Sequence, residues 1–348
     1  MKKLITVIAL AVFCATFVFG CEENPTDSGL VEVEGTLTVE VDPTTPTSCQ
    51  LIMGEVNVVV AKFRFTAANE DILVTALEIS DFNSAGAWGS IKNIRMYEGN
   101  ILLGIVQFST GSFGAGQAGA VYYDLESLIP KGETKIFTFK ADVCTAADGA
   151  TSGSIHTFAL LADGLIVAKG VSSGQPVNIT YGRQMANPMT VYRTKIQIEW
   201  ASGSPSGPAI GSSAQTIAKV RVTNVPNHGN YTVTIKYANV RLATNISNTA
   251  ARALTVYKDN TSTVPLGITN WIVDGDTRFD DSMTDVEIAA GASKLLIFTL
   301  DTIDGNQTGK DFYLDVGMGQ HDIVWDDNAG NTITTVDTLP LVTKRLTY

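Results

Sequence analysis

The segment Ala61-Lys62-Phe63-Arg64-Phe65-Thr66 returns 157 residues later as Ala218-Lys219-Val220-Arg221-Val222-Thr223. Leu37, Val39 and Val41, followed by Pro46, likewise correspond to Ile196, Ile198 and Trp200, followed by Pro205, at an offset of 159. Ile94-Arg95-Met96-Tyr97 answers Leu254-Thr255-Val256-Tyr257 at 160, and Leu103-Gly104-Ile105 answers Leu266-Gly267-Ile268 at 163. Gly132, Lys135, Phe137, Phe139 and Asp142 match Gly291, Lys294, Leu296, Phe298 and Asp301 at 159, and Tyr192 matches Tyr348 at 156. Offsets that drift and recover are what loop insertions between fixed strands produce. The chain is therefore one module built twice, and its 348 residues give each copy enough length to bury its own core.

Within each copy the dominant period is two. Tyr231, Val233, Ile235 and Tyr237 alternate with Thr232, Thr234, Lys236 and Ala238, and Phe312, Leu314, Val316 and Met318 alternate with Asp311, Tyr313, Asp315 and Gly317. Further strands are expected at Val58 to Thr66, Ile72 to Ser80, Asn93 to Tyr97, Lys135 to Asp142 and Ile155 to Leu161, separated by turn-forming clusters. No stretch after the leader has a helical period. Strands with one apolar face must pack sheet on sheet, so the expected fold is all-β: two tandem, internally duplicated antiparallel β-sandwiches, immunoglobulin-like or jelly-roll-like. The boundaries fall at 35–193 and 194–348, because Tyr192-Arg193-Thr194-Lys195 runs from the last strand of one copy into the first of the next with no Gly/Ser linker. The Ser/Gly/Pro-rich run Ala201 to Ser213 is a loop inside the second copy, equivalent to Asp42 to Cys49.

Residues 1–20 read as a secretory leader: Lys2 and Lys3 precede an apolar run from Leu4 to Phe19. That run is at the short limit for ~30 Å of hydrocarbon, which favours a removed leader over an uncleaved anchor. Its end, Val18-Phe19-Gly20-Cys21, resembles the bacterial lipobox, although Phe19 stands where a small residue is usual. The resemblance implies cleavage before Cys21 and acylation of its thiol. Several acyl chains on one residue anchor stably at ~0.8 kcal/mol per buried methylene. Residues 21–34 then form a polar, turn-rich tether, and Glu22 and Glu23 lean toward the outer membrane or cell surface. With Cys14 removed and Cys21 acylated, Cys49 and Cys144 remain as a disulfide candidate in an oxidising compartment. Their counterparts near Pro208 and Ile303 lack both sulfurs together, as a bonded pair would; two separate buried thiols are the alternative. Closing so long a loop would contribute roughly 4 to 5 kcal/mol on the chain-entropy account.

The strings Ile91-Lys92-Asn93-Ile94-Arg95-Met96-Tyr97-Glu98-Gly99 and Ile129-Pro130-Lys131-Gly132-Glu133-Thr134-Lys135 resemble the recurring modules of bacterial cell-surface proteins built from tandem immunoglobulin-like sandwiches. The likeness is looser in the second copy, where Lys258-Asp259 replaces Glu98-Gly99. It implies a display, adhesion or assembly role and brings no active site, since the motifs are turn and core residues.

Chemistry-bearing residues are sparse. His156, His228 and His321 lie far apart without metal-ligand spacing or a nucleophile pattern, and no glycine-rich loop leads into a helix, so the chain reads as non-enzymatic. A net charge of −11, or −13 once Lys2 and Lys3 leave with the leader, argues against nucleic acid as a partner. The expected partners are the membrane through the lipid, other envelope proteins, surface polysaccharide or copies of the chain itself. Asp274, Asp276, Asp280 and Asp281 crowd one connection as hard oxygen ligands for Ca²⁺ would, with solvated turns as the competing reading. Trp271 and Trp325 sit beside Gly/Asp-rich connections, where an exposed ring could stack on a sugar or cap the end of a core. The preferred reading is a non-catalytic, membrane-anchored surface lipoprotein forming a rigid two-sandwich rod; a carbohydrate- or calcium-dependent binding module is the alternative. Self-assembly could use the alternating segment Leu30 to Val41, unless that segment completes its own sheet.

Overall fold

The computed structural model describes residues 34–83, 87–109, 117–162, 164–208, 213–244, 252–259, 263–271, 275–278, 283–302, 311–316, 323–339, 341–342 and 344–347. Among them the regular structure is strand, apart from the 3-10 turn Trp88–Ser90. In the first half one sheet runs in the order Asn178–Thr180, Thr36–Val41, Val58–Ala68, Thr134–Val143, Ile91–Glu98, Ile101–Val106. The facing sheet runs Ile166–Gly170, Ile72–Asn83, Ile155–Leu160, Met189–Tyr192, Gln50–Ile52, and the long strand Ile72–Asn83 also pairs with Gln117–Tyr122 and Ser127–Ile129.

The second half repeats this order. One sheet is Lys195–Trp200, Ser213–Val225, Ser293–Thr302, Arg252–Lys258, Pro265–Trp271. In the other, Gly207–Pro208, Lys344–Thr347, Asp311–Val316 and Val233–Thr244 follow one another, and Val233–Thr244 also takes Gly275–Arg278, Val286–Ile288 and Ile323–Asp326. Even the irregularities are duplicated. The ladder of Val58–Ala68 with Thr134–Val143 slips between Val59 and Ala61, and its equivalent slips between Thr216 and Ala218. The ladder of Ile91–Glu98 with Ile101–Val106 slips between Met96 and Tyr97, and its equivalent between Val256 and Tyr257. A bulge changes the face of every residue beyond it, so two copies sharing bulges share which residues point inward.

Each half buries its own apolar core, drawn from both of its sheets, and residues 34–348 form one compact unit. At the centre of the first core Phe63 meets Phe139 edge-on at 5.7 Å and Phe65 meets Phe137 at 4.7 Å, arrangements adding about 0.5–1.5 kcal/mol each beyond burial. The hydroxyl of buried Tyr122, in one sheet, donates to the Ile94 carbonyl in the other at 2.9 Å, stitching the two layers together.

Two features differ from the sequence reading, the short parallel pairs and the disulfide, and one alternative that it left open is decided. Short parallel pairs occur: Thr36–Thr38 on Asn178–Thr180, Gln50–Ile52 on Thr190–Tyr192, and Gly207–Pro208 on Leu346–Thr347. The last two arise because the short segment after each half's first strand crosses to the other sheet and is captured beside that half's last strand. The segment Thr36–Val41 completes its own sheet against Val58–Ala68; Leu30 to Val33 lie outside the described residues. The disulfide expected between Cys49 and Cys144 is absent and both thiols are free. Cys49 leads into Gln50–Ile52 with its Sγ 3.2 Å from Met189 Sδ, whereas Cys144 follows a strand of the opposite sheet, its N–H donating to Ser90 O. Burial pushes both thiols up, which disfavours the thiolate needed for exchange.

The first half also carries an ion pair at the end of its central ladder. Arg95 donates to Asp142 through two nitrogens, at 2.5 and 2.8 Å, and Asn93 Nδ2 and the Asn57 N–H add bonds of 2.9 and 2.8 Å. The Arg95 hydrogen bonds, against an opposing desolvation and helped by Asn93 and Asn57, bring the Asp142 carboxyl from 3.8 to about 2. A depressed carboxyl stabilises the fold fully above its unfolded value and loses that contribution as pH falls through the folded one. The pair therefore contributes about 2 kcal/mol at neutral pH. Asp142→Asn should lower the free energy of urea unfolding by that amount at pH 7, with the difference shrinking as pH approaches 2; a loss independent of pH would reject the assignment.

Candidate functional site

The most elaborate polar construction among the described residues lies where the halves meet. Only Arg193 and Thr194 separate the strand Met189–Tyr192 from Lys195–Trp200. Thr194 is fully buried and its hydroxyl donates to Asn224 Oδ1 at 2.6 Å, while Asn224 Nδ2 donates to the carbonyls of Tyr231 and Ile288. The connection is thus bonded into the second sandwich from its second residue onward.

Asp327, also fully buried, closes the joint from the other side. It accepts hydrogen bonds from the Ser152 hydroxyl, from the Arg193 N–H at 2.8 Å and from Asn331 Nδ2 at 3.2 Å, so one carboxylate binds both halves. Asn331 Nδ2 also donates to Ser152 Oγ at 2.9 Å, and the Arg193 guanidinium bonds the Asn328 carbonyl and lies 5.4 Å from the centre of the Tyr231 ring. A second seam runs through Thr335, whose carbonyl accepts from Gln50 Nε2 of the first half at 2.7 Å and from Trp325 Nε1 of the second at 3.2 Å. Tyr192 packs 6.0 Å from Trp325. Two glycines allow the approach: with φ +82°, a Cβ on Gly54 would stand 2.6 Å from His228 Cβ, and with φ +84° one on Gly153 would meet Asn331 Oδ1 at 3.0 Å.

A second cluster has the membership of a hydrolytic triad. His156 Nδ1 lies 2.7 Å from Asp81 Oδ2, and its Nε2 lies 3.2 Å from Ser154 Oγ, which donates onward to Ser90 Oγ at 3.1 Å. Asn83 Nδ2 approaches His156 Nε2 at 3.1 Å. All five side chains are buried, His156 at 0 % exposure and Asp81 at 1 %, so no substrate can reach the hydroxyl. Burial pushes the Asp81 carboxyl up, against the hydrogen bond and charge of His156. The cluster is a polar plug within the sheet, not a nucleophile at a surface. The duplication makes this plain. His156 faces Asn83 and Phe158 faces Asp81 in register, just as Phe312 faces Thr244 and Leu314 faces Leu242, so the second half has Phe312 and Leu242 where the first has His156 and Asp81. The same topology forms without the polar pair.

A groove of about 550 Å³ opens across the outer face of the strand Ile72–Asn83 and is lined by Leu73, Thr75, Tyr123, Asp124, Glu126 and Val167, among others. Tyr123 is 67 % exposed beside the two carboxylates. The sequence reading passed over this ring because it nominated tryptophans.

Of the residues singled out from sequence, Trp325 requires correction as a ligand-stacking ring. It is fully buried in the second core, because Ile323–Asp326 is a strand paired to Thr234–Ala238 and not an open connection. Trp271 ends the strand Pro265–Trp271, and Asp276 lies in Gly275–Arg278 opposite Arg241; their side chains lie outside the described residues, as do Asp274, Asp280 and Asp281 altogether. No group of three metal-ligating side chains occurs among the described residues. Cys21 also falls outside them.

Neither a family model nor a curated protein matches the sequence. Solved structures are similar to the chain only at a low level. A chain of a complex between a CaDoc0917 variant and CaCohA2 is 10% identical over 45% of this chain and 99% of its own, with a TM-score of 0.24. The partial N-terminal region of enterococcal surface protein is 8% identical over 94% and 97%, at 0.23, and the class 5 fimbriae chaperone CfaA is 9% identical over 83% and 97%, at 0.19. Similarity this low carries no inference about ligand or partner.

The plug yields a double-mutant test. Asp81→Leu or His156→Phe alone removes one side of the buried Asp81–His156 contact and leaves the other without it, which should cost about 3–5 kcal/mol in urea unfolding. The double variant, which installs the second half's own residues, should recover at least half of the summed loss; strictly additive losses would show that the two side chains are not coupled.

Proposed function

We propose that the chain is a non-catalytic, lipid-anchored surface protein whose two sandwiches act as one stiff spacer, serving adhesion or the building of an envelope layer or filament. The joint carries this reading: a buried carboxylate bonded from both halves resists bending, because separating the halves would take the Ser152 and Arg193 donors from Asp327. Domains joined by an ordinary linker move freely by default, and this connection has neither the length nor the exposure for that.

Attachment is reinforced where the tether would enter. Glu70 accepts from the N–H groups of Gly35, Ser172 and Ser173 and from the Ser173 hydroxyl, so the first described residues are clamped to a distant loop. The Ser173 N–H and hydroxyl, followed by the Ser172 and Gly35 N–H groups, hold its carboxyl below the usual range despite desolvation. Gly170 makes room for it, since a Cβ there would fall 2.1 Å from the carboxylate. The following strand Thr36–Val41 is paired on both sides, and a pull along it must shear two ladders together.

A second reading, a carbohydrate-binding module, is favoured by exposed Tyr123 beside Asp124 and Glu126. A glycan array with and without Ca²⁺ tests it: binding abolished by Tyr123→Ala would support it, and no binding in either condition would remove it.

For the preferred reading, intact mass of the chain from a membrane fraction should place lipid on Cys21, and a soluble chain still carrying Met1 would overturn the anchor. Small-angle scattering of the delipidated chain should fit a single inter-sandwich arrangement, and Asp327→Ala combined with Asn331→Ala should broaden it. A broad distribution already present in the wild type would overturn the spacer.

A further inference from the structure

The first sandwich ends at an unguarded edge. Ile101–Val106 is the last strand of its sheet, hydrogen-bonded to Ile91–Glu98 on one side, with no strand beyond it among the described residues. Ile101, Leu102 and Ile105 are 66, 45 and 53 % exposed. Soluble proteins usually blunt such an edge with a lysine, a proline or an inward charge, because unpaired backbone groups flanked by apolar side chains template another strand. Here none is present: the sequence contains no Asp, Glu, Lys or Arg between Glu98 and Asp124.

The second sandwich supplies the internal control. Its equivalent edge, Pro265–Trp271, stands in the same place in the same sheet order. Leu102 faces Tyr97 across the ladder, and Pro265 faces Tyr257, so the position that holds an exposed leucine in one copy holds a proline in the other. Proline offers no N–H to an incoming strand. Val106 and Gln107 are likewise matched by Thr269 and Asn270. One fold thus appears twice, once with the edge blunted and once with it open.

We infer that Ile101–Val106 is a self-association surface at which two copies of this chain join their sheets, antiparallel, about a twofold axis between Leu103 and Gly104. The bulge makes the strand self-complementary. Leu102 faces Tyr97 and Ile105 faces Arg95, two residues that share a face, so the extra residue Leu103 brings Leu102 and Ile105 to the same side of the sheet. In the twofold register Leu102 lies opposite Ile105 of the second copy and Ile105 opposite its Leu102, giving two apolar cross-strand pairs on one face. Charge sets where two copies can meet. A net charge of −11 opposes contact between copies, and a strand without charged side chains is where that opposition is least. The inference does not depend on the lipid or on the stiffness of the joint.

Sedimentation of the full chain in detergent over a concentration series tests it. The wild type should show a reversible monomer–dimer equilibrium. Ile105→Lys, at an exposed position, and Leu102→Pro, which copies the second sandwich, should each abolish the dimer, whereas Ile268→Lys on the second edge should leave it intact. A cooperative thermal melt verifies folding, and if Leu102→Pro fails to fold, Ile105→Lys decides. A wild type that stays monomeric at every concentration, or a dimer that survives Ile105→Lys, overturns the inference; the first result would also be given by an edge that serves a different protein.

Discussion

The ladder between Val58–Ala68 and Thr134–Val143, with its equivalent Ser213–Val225 on Ser293–Thr302, is the constraint on which the rest of the molecule depends. It is the middle pair of its sheet, and its inward residues Phe63, Phe65, Phe137 and Phe139 are all without solvent exposure. A one-residue slip of either strand would turn its two rings outward and expose several kcal/mol of apolar burial, so the register is strongly determined. The slip between Val59 and Ala61 then fixes where the face changes, and it recurs between Thr216 and Ala218. Outer strands, joint and edge take their places from that register.

This constraint is also why much of the fold was legible in the sequence. Residues that must alternate inward leave a period of two, and bulges that must be kept hold the offset between copies almost constant, so Tyr97 and Tyr257 occupy the same ladder position after an interval of 160 residues. The sites were less legible, for a physical reason. Burial of a polar group by tertiary contact leaves no local pattern. Asp327, flanked by Asp326 and Asn328, has the composition of a solvated turn, yet it is fully buried because Ser152 and Arg193 arrive from the other sandwich. Trp325 in the same run reads as an exposed ring, and only its pairing to Thr234–Ala238 puts it inside. The joint absence of Cys49 and Cys144 counterparts records shared history but not the sulfur geometry a bond demands.

Duplication lets each half serve as the other's comparison. Where both agree, as in the strand order and bulges, the feature belongs to the fold. Where they differ, the fold does not require it, and some other pressure or none holds it. The His156–Asp81 plug falls in the second class, because Phe312 and Leu242 occupy those positions in the second half. A buried polar pair is weak evidence for stability, since well-packed apolar residues often do as well. What the plug adds is directionality: the chain Asp81, His156, Ser154, Ser90 links Ile72–Asn83 and Ile155–Leu160 to the 3-10 turn Trp88–Ser90. The Ser90 hydroxyl also accepts from the Thr151 N–H, and Thr151 adjoins Ser152, which bonds Asp327.

Hydrogen bonds joined by the covalent link from Thr151 to Ser152 therefore lead from the interior of the first sandwich to the joint. Ser90, Ser152 and Ser154 each make two side-chain bonds, and the segment Thr151–Ser154 is anchored at one end by Thr151 N–H to Ser90 Oγ and at the other by Gly153 N–H to Val191 O and Val191 N–H to Ser154 O. In the second half, the fully buried Asn224 and Thr194 perform the corresponding task from the other side of the connection. The joint is thus braced by the core of each sandwich and not by surface contact alone. That arrangement explains why polar residues occupy the interior of the first half at a place where the fold accepts apolar ones: the plug positions the loop that presents Ser152, and Ser152 is one of the two groups through which the first sandwich holds Asp327.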